Sequence, residues 1–110
     1  MSVVNLAETA AKLPEAWNSL PLGQVGAACV KVLRMDEMPV AEESHSAAEA
    51  LLVLDGHLEL VVDGTQVPVR AGELFMVEAG TAHSVGPGSQ GTLVIVEIPE
   101  EWSDGTSNCS

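Results

Sequence analysis

The chain has 110 residues, 46% of them apolar, and a formal net charge of −12 from 16 acidic and 4 basic side chains. That is enough apolar material for one core and not for two. A surface so acidic repels phosphate backbones and anionic lipid, which argues against nucleic-acid and membrane partners.

In chain order, Asn5 precedes Leu6 with Glu8 three residues on, a capping-box pattern. Leu6, Ala10, Leu13 and Trp17 recur at helical spacing, and Pro14 limits the helix to about two turns. So short a helix is marginal alone, so residues 1–24 are read as an arm of the same domain. From Val25 the pattern changes. "VGAACVKVLRM" is rich in β-branched residues, and "ALLVLD" (50–55) is a short continuous apolar run, as a strand buried on both faces would be. The "DG" at 55–56 reads as a strand end, which makes His57 a solvated turn residue. "HLELVV" alternates, with Leu58, Leu60 and Val62 on one face. Asp63-Gly64 then separates it from "TQVPV", a strong hairpin signal. Pro68 predicts an edge or a bulge in that strand. "GELFMV" (72–77), the turn-rich "EAGTAHSVGPGSQG" (78–91) and "TLVIVEI" (92–98) follow, and the last stretch is polar. Glycine or proline punctuates the chain at the intervals of a sandwich or barrel. The expectation is an all-β barrel over 25–98 with a short N-terminal helical arm and a polar tail over 99–110, its first turn pinned by Trp102.

Cys29 and Cys109 are the only cysteines, without a CxxC. Two free thiols are the default reading, with a tail disulfide as the alternative. The N-terminus lacks a basic n-region and a long apolar segment, so it does not read as a signal peptide. A cytoplasmic location is expected by elimination.

The residues that carry chemistry cluster before and after the hairpin. Glu43 and His45 are two apart, Glu49 follows after three residues and Gly56 after six more. Later come Gly72, Gly80 and His83. Charged groups beside a buried strand are costly unless something pairs them, so this set is either a solvated loop end or a pocket that holds a cation. The spacing resembles the two motifs of the cupin family. In G-x5-H-x-H-x3,4-E-x6-G, the second His, the Glu and the last Gly match His45, Glu49 and Gly56. In G-x5-P-x-G-x2-H-x3-N, the first two Gly and the His match Gly72, Gly80 and His83. The departures are Glu43 in place of the first His, no leading Gly in the first motif, and Glu78 and Pro87 in place of the Pro and Asn of the second.

The resemblance implies a double-stranded β-helix (jelly-roll) barrel and a divalent metal held by His45, Glu49 and His83, with Glu43 as a fourth ligand. Such a set suits Mn, Fe, Zn or Ni rather than Cu(I). It further implies a small-molecule ligand and a homodimer. Glu43 or Glu78 is the candidate catalytic base beside the ion. Arg34 or Arg70 would bind a substrate carboxylate if either faced the lumen, and Met35, Met38 and Met76 read as core or pocket lining. Three functions stay open. One is a Lewis-acid isomerase, lyase or dioxygenase acting on an oxygen-rich metabolite. The others are a non-catalytic binding or sensing module and a metal-free scaffold that kept the spacing.

Overall fold

The computed structural model describes residues 3–99. Its one helix, α1 (Leu6–Ala11), starts at Asn5, whose side chain accepts from the Glu8 amide at 3.0 Å. The cap thus forms as the sequence predicts. The helical spacing through Trp17 does not hold: the helix stops at Ala11, and Trp17 has φ +65°.

Eight strands follow: β1 (Leu20–Val25), β2 (Ala28–Met35), β3 (Val40–Glu43), β4 (Glu49–Val62), β5 (Thr65–Arg70), β6 (Leu74–Val77), β7 (His83–Val85) and β8 (Gln90–Glu97). They curl into one antiparallel sheet in the order β1-β2-β8-β4-β7-β3, with β5 and β6 also paired to β4. β4 is the hub. Its first half lies between β6 and β8, and its second half pairs with β5 and β7.

The two β4 runs are one strand rather than two. Asp55-Gly56, which the sequence reads as a strand end, is an irregularity inside β4, where the register to β8 shifts between Val53 and Asp55. His57 is therefore a half-buried strand residue, its Nδ1 3.1 Å from Glu59 Oε2. Asp63 and Gly64, by contrast, do make the β4–β5 turn. Their φ values of +48° and +79° are those of a type I′ turn. Pro68 sits in β5, which pairs only with β4, so its missing N–H breaks no second ladder.

Alternation separates two cores. Leu33, Met35, Leu51, Val53, Leu58, Leu60 and Leu93 pack inside the curl. On its outer face Val32 and Val94 pack with Ala10 of the helix, and Leu6 and Leu52 close over them. Arg34 faces the arm, not the lumen. Its guanidinium donates to the carbonyls of Leu13 (3.2 Å) and Pro14 (3.3 Å). Arg70 is exposed on β5. Met35 is core, but Met38 and Met76 are about half exposed, contrary to expectation. Cys29 is fully buried and is disulfide-bonded, which corrects the reading of two free thiols. Cys109 and Trp102 lie outside the described residues. No helix among those described is long and apolar enough to cross a membrane.

Candidate metal centre

The curl encloses a cavity of about 210 Å³, aliphatic along Leu33, Leu51, Leu58 and Leu60 and polar at Glu43, His45, Glu49, His83 and Glu97. Each polar group is delivered by a different stretch of chain. Glu43 ends β3 and is paired in register with His83, the first residue of β7. His45 follows in the loop, which is tied down where the Gly80 amide donates to the His45 carbonyl at 2.8 Å. Glu49 opens β4. Four groups named from sequence spacing, Glu43, His45, Glu49 and His83, thus line one cavity.

Glu43, His45 and His83 form a group able to hold a metal ion, with one ligand atom of each lying within 4.8 Å of the others. His45 Nε2 is 3.4 Å and His83 Nε2 3.9 Å from Glu43 Oε1. His83 Nε2 is also 3.1 Å from Glu49 Oε1, so Glu49 stands beside this group through His83. Donors bound at about 2.1 Å to one ion stand about 3 to 4 Å apart, so these separations fit a shared cation. The donors, imidazole nitrogen and carboxylate oxygen, suit a first-row divalent ion.

The orientation of His83 decides what sits between it and Glu49. Its Nδ1 lies 3.0 Å from the Thr81 carbonyl, which only accepts, so that nitrogen carries the proton. In the neutral ring Nε2 is then a lone pair aimed at a carboxylate, and a proton or a cation has to lie between them. The Glu49 carboxyl is suited to hold that proton. Burial raises it above the usual carboxylate range and Glu97 and Glu43 add to the rise, against the opposing pull of His45 and His83. For His45, burial works to lower the imidazole, but Glu49 and Glu43, with Glu97 further off, outweigh it and raise the group above 6.5.

Both shifts have the same sign for stability. Each folded-state pKa lies above its unfolded value, so each contribution is full below that value and is lost as pH rises through the folded one. Glu49→Gln keeps a neutral donor opposite His83 Nε2. The metal-free variant is therefore expected to gain stability relative to metal-free wild type as pH rises above the ordinary glutamate range, checked by urea melts at a series of pH values. A constant difference would mean that Glu49 does not titrate against folding.

The structure does not bring Glu78 to this group. It is exposed in the β6–β7 loop, outside the cavity lining, and its carbonyl accepts from the Thr81 amide. Of the lining residues that the sequence did not mark, two bear on the chemistry. Glu97 stands directly across from Glu49 in the β4–β8 register and 3.7 Å from Lys31 Nζ. The alternation Leu93, Ile95, Glu97 was a usable signal for it. Trp17 is the other.

The family model for the cupin domain matches residues 34–99. The chain belongs to the cupin family. Solved structures agree on the fold. A cupin-2 domain protein from Shewanella frigidimarina has a TM-score of 0.79 at 16% identity, over 87% of this chain and 94% of that one. A Neisseria meningitidis protein has 0.75 at 18%, over 88% and 99%. A Ralstonia eutropha protein, provisionally named a mannose-6-phosphate isomerase, has 0.76 at 16%, over 89% and 98%. No match was found among curated proteins. In this cupin the exchange of the first motif's leading His for Glu43 leaves a donor in place, because that carboxylate faces both imidazoles.

Proposed function

We propose that this cupin binds one divalent metal ion through His45, His83, Glu49 and Glu43 and acts on a small oxygen-rich metabolite in the cavity beside it. The observation that carries the reading is the convergence of two imidazoles and a carboxylate, with ligand atoms within 4.8 Å, at the polar end of an otherwise aliphatic pocket. Bound there, the ion would supply Lewis acidity to a carbonyl or hydroxyl oxygen of the substrate. The chain's own part is to orient and to move protons. Thr81 fixes the His83 ring, and the aliphatic walls keep water from the substrate's body. Glu97, opposite Glu49 in register across β4 and β8, is the carboxylate outside the ligand set that would accept or return a proton at the substrate carbon nearest the ion.

The test is the metal content of protein purified without a His tag. About one divalent ion per chain is expected, followed by turnover of the loaded protein on one member of a panel of keto acids, sugars and phenols. A loaded protein that binds panel members without turnover would be the binding or sensing module instead. A metal-free protein that takes up no added ion would leave the scaffold reading. We further propose that the chain pairs with a second copy, supported by the exposed Leu20 and Val25 on the edge strand β1 and testable by light scattering.

A further inference from the structure

Two residues of the cavity, Trp17 and Ser19, belong neither to the ion cluster nor to the sheet, and Trp17 is the large one. Trp17 lies between α1 and β1, lines the same cavity as His45, Glu49 and His83, and packs against Leu33 and its neighbours while staying only half-buried. Its backbone is left-handed, φ +65°, a conformation disfavoured for a bulky side chain. That conformation is held at both ends of the residue. The Trp17 amide donates to the Arg34 carbonyl at 2.8 Å, and the indole Nε1–H donates to Asp36 Oδ1 at 2.9 Å. Asp36 is itself fixed, accepting from the Met38 amide at 3.0 Å. The segment before it is clamped by the Arg34 guanidinium. A ring needed only to fill space would not require strained backbone and two polar anchors; a leucine on the adjoining strand would serve.

The remaining walls say what such a ring would meet. Of the described aromatic side chains other than histidine, Trp17 alone lines the cavity. No Lys or Arg lines it: Arg34 is spent on the arm, Arg70 is outside, and Lys31 is paired with Glu97. A ligand's body is thus recognised by an indole and aliphatic carbon, not by a fixed positive charge. We propose that Trp17 is the specificity-determining wall of the site, selecting uncharged ligands that carry adjacent oxygen donors at one end and a flat, weakly polar body that packs on the indole. This rests on the metal-site reading above, since the oxygen end needs the ion.

The test uses two probes with one chelating group, acetohydroxamate and benzohydroxamate, titrated by calorimetry into full-length, Zn-loaded protein. Metal uptake is measured first, so failure of the metal reading shows before either probe is added. In wild type, benzohydroxamate is expected to bind at least about tenfold tighter, the size of one buried aromatic contact. Trp17→Leu, which keeps the position apolar but removes the aromatic face, is expected to bring the ratio below about threefold with zinc and acetohydroxamate affinities unchanged. Trp17→Phe is expected to keep most of it. Thermal melts confirm that both variants fold. A ratio that Trp17→Leu leaves intact, or a fall in acetohydroxamate affinity as large as that in benzohydroxamate affinity, overturns the proposal while leaving the metal site standing.

Discussion

His83→Ala is expected to abolish stoichiometric metal binding, with affinity falling by more than about 100-fold, beyond the usual effect of losing an orienting partner. His83 is the donor whose position is most completely determined. It is 6% exposed, its ring is oriented by the Thr81 carbonyl, and its Nε2 is shared between Glu49 and Glu43. The same substitution strips the buried Glu49 of its nearest partner. In the metal-free protein it is therefore expected to cost about 1 to 3 kcal/mol of stability, read by urea denaturation. Glu43→His should act in the opposite direction. It places a third imidazole where an exposed carboxylate now faces both rings, and affinity for Zn or Ni should rise. Undiminished affinity in His83→Ala would put the ion elsewhere. Unchanged affinity in Glu43→His would remove Glu43 from the ligand set.

Gly56→Ala carries the largest expected effect on folding. Gly56 and Gly91 face each other in the β4–β8 register, with φ +75° and +104°. A Cβ on Gly56 would lie 2.0 Å from the Gln90 carbonyl oxygen, and one on Gly91 2.1 Å from that of Asp55. Both obstacles are backbone inside a paired ladder, so no side-chain rotation relieves them. The ladder has to separate, and a cost above about 4 kcal/mol would consume most of an ordinary domain's stability. Gly64→Ala is the control. It shares the left-handed backbone, φ +79°, but nothing lies within 4 Å of the added carbon, so about 1 kcal/mol of strain is expected. Circular dichroism melts of the two variants decide it. Similar midpoints would mean that the close approach of β4 and β8 at this pair is not rigid.

The legibility of this chain follows the length and regularity of its parts. The long alternating runs of β2, β4, β5 and β8 and the Asp63-Gly64 turn could be read because side-chain period and turn chemistry act locally. β1 was hidden by Pro21 and Gly23, a pair that marks turns, and the register slips there. β3 and β7 have 4 and 3 residues and pair with each other, so tertiary contact alone makes them strands. Asp55-Gly56 looked like a strand end, but whether such a dipeptide turns or bulges depends on the partner strand. The convergence of Glu43, His45, Glu49 and His83 on one cavity was legible through motif spacing, with Glu43 in the position of the first motif's leading His. Glu78, close to His83 in sequence, is turned outward by its loop. Trp17 enters from the arm, a distance that no local pattern spans, whereas the alternation Leu93, Ile95, Glu97 carried the only local signal for Glu97.

The central position of β4 bears on how the molecule comes together. Among the described strands it alone pairs with four others, β5, β6, β7 and β8, all of which follow it in the chain. During synthesis, therefore, a long apolar strand emerges before any of its neighbours. Its hairpin with β5 closes first, and the half that begins at Glu49 waits for β6 and then for β8. Loop closure over that span makes the final docking of β8 the slow event. A chain interrupted before Gln90 would leave Leu51 and Val53 exposed along an unpaired edge, open to self-association.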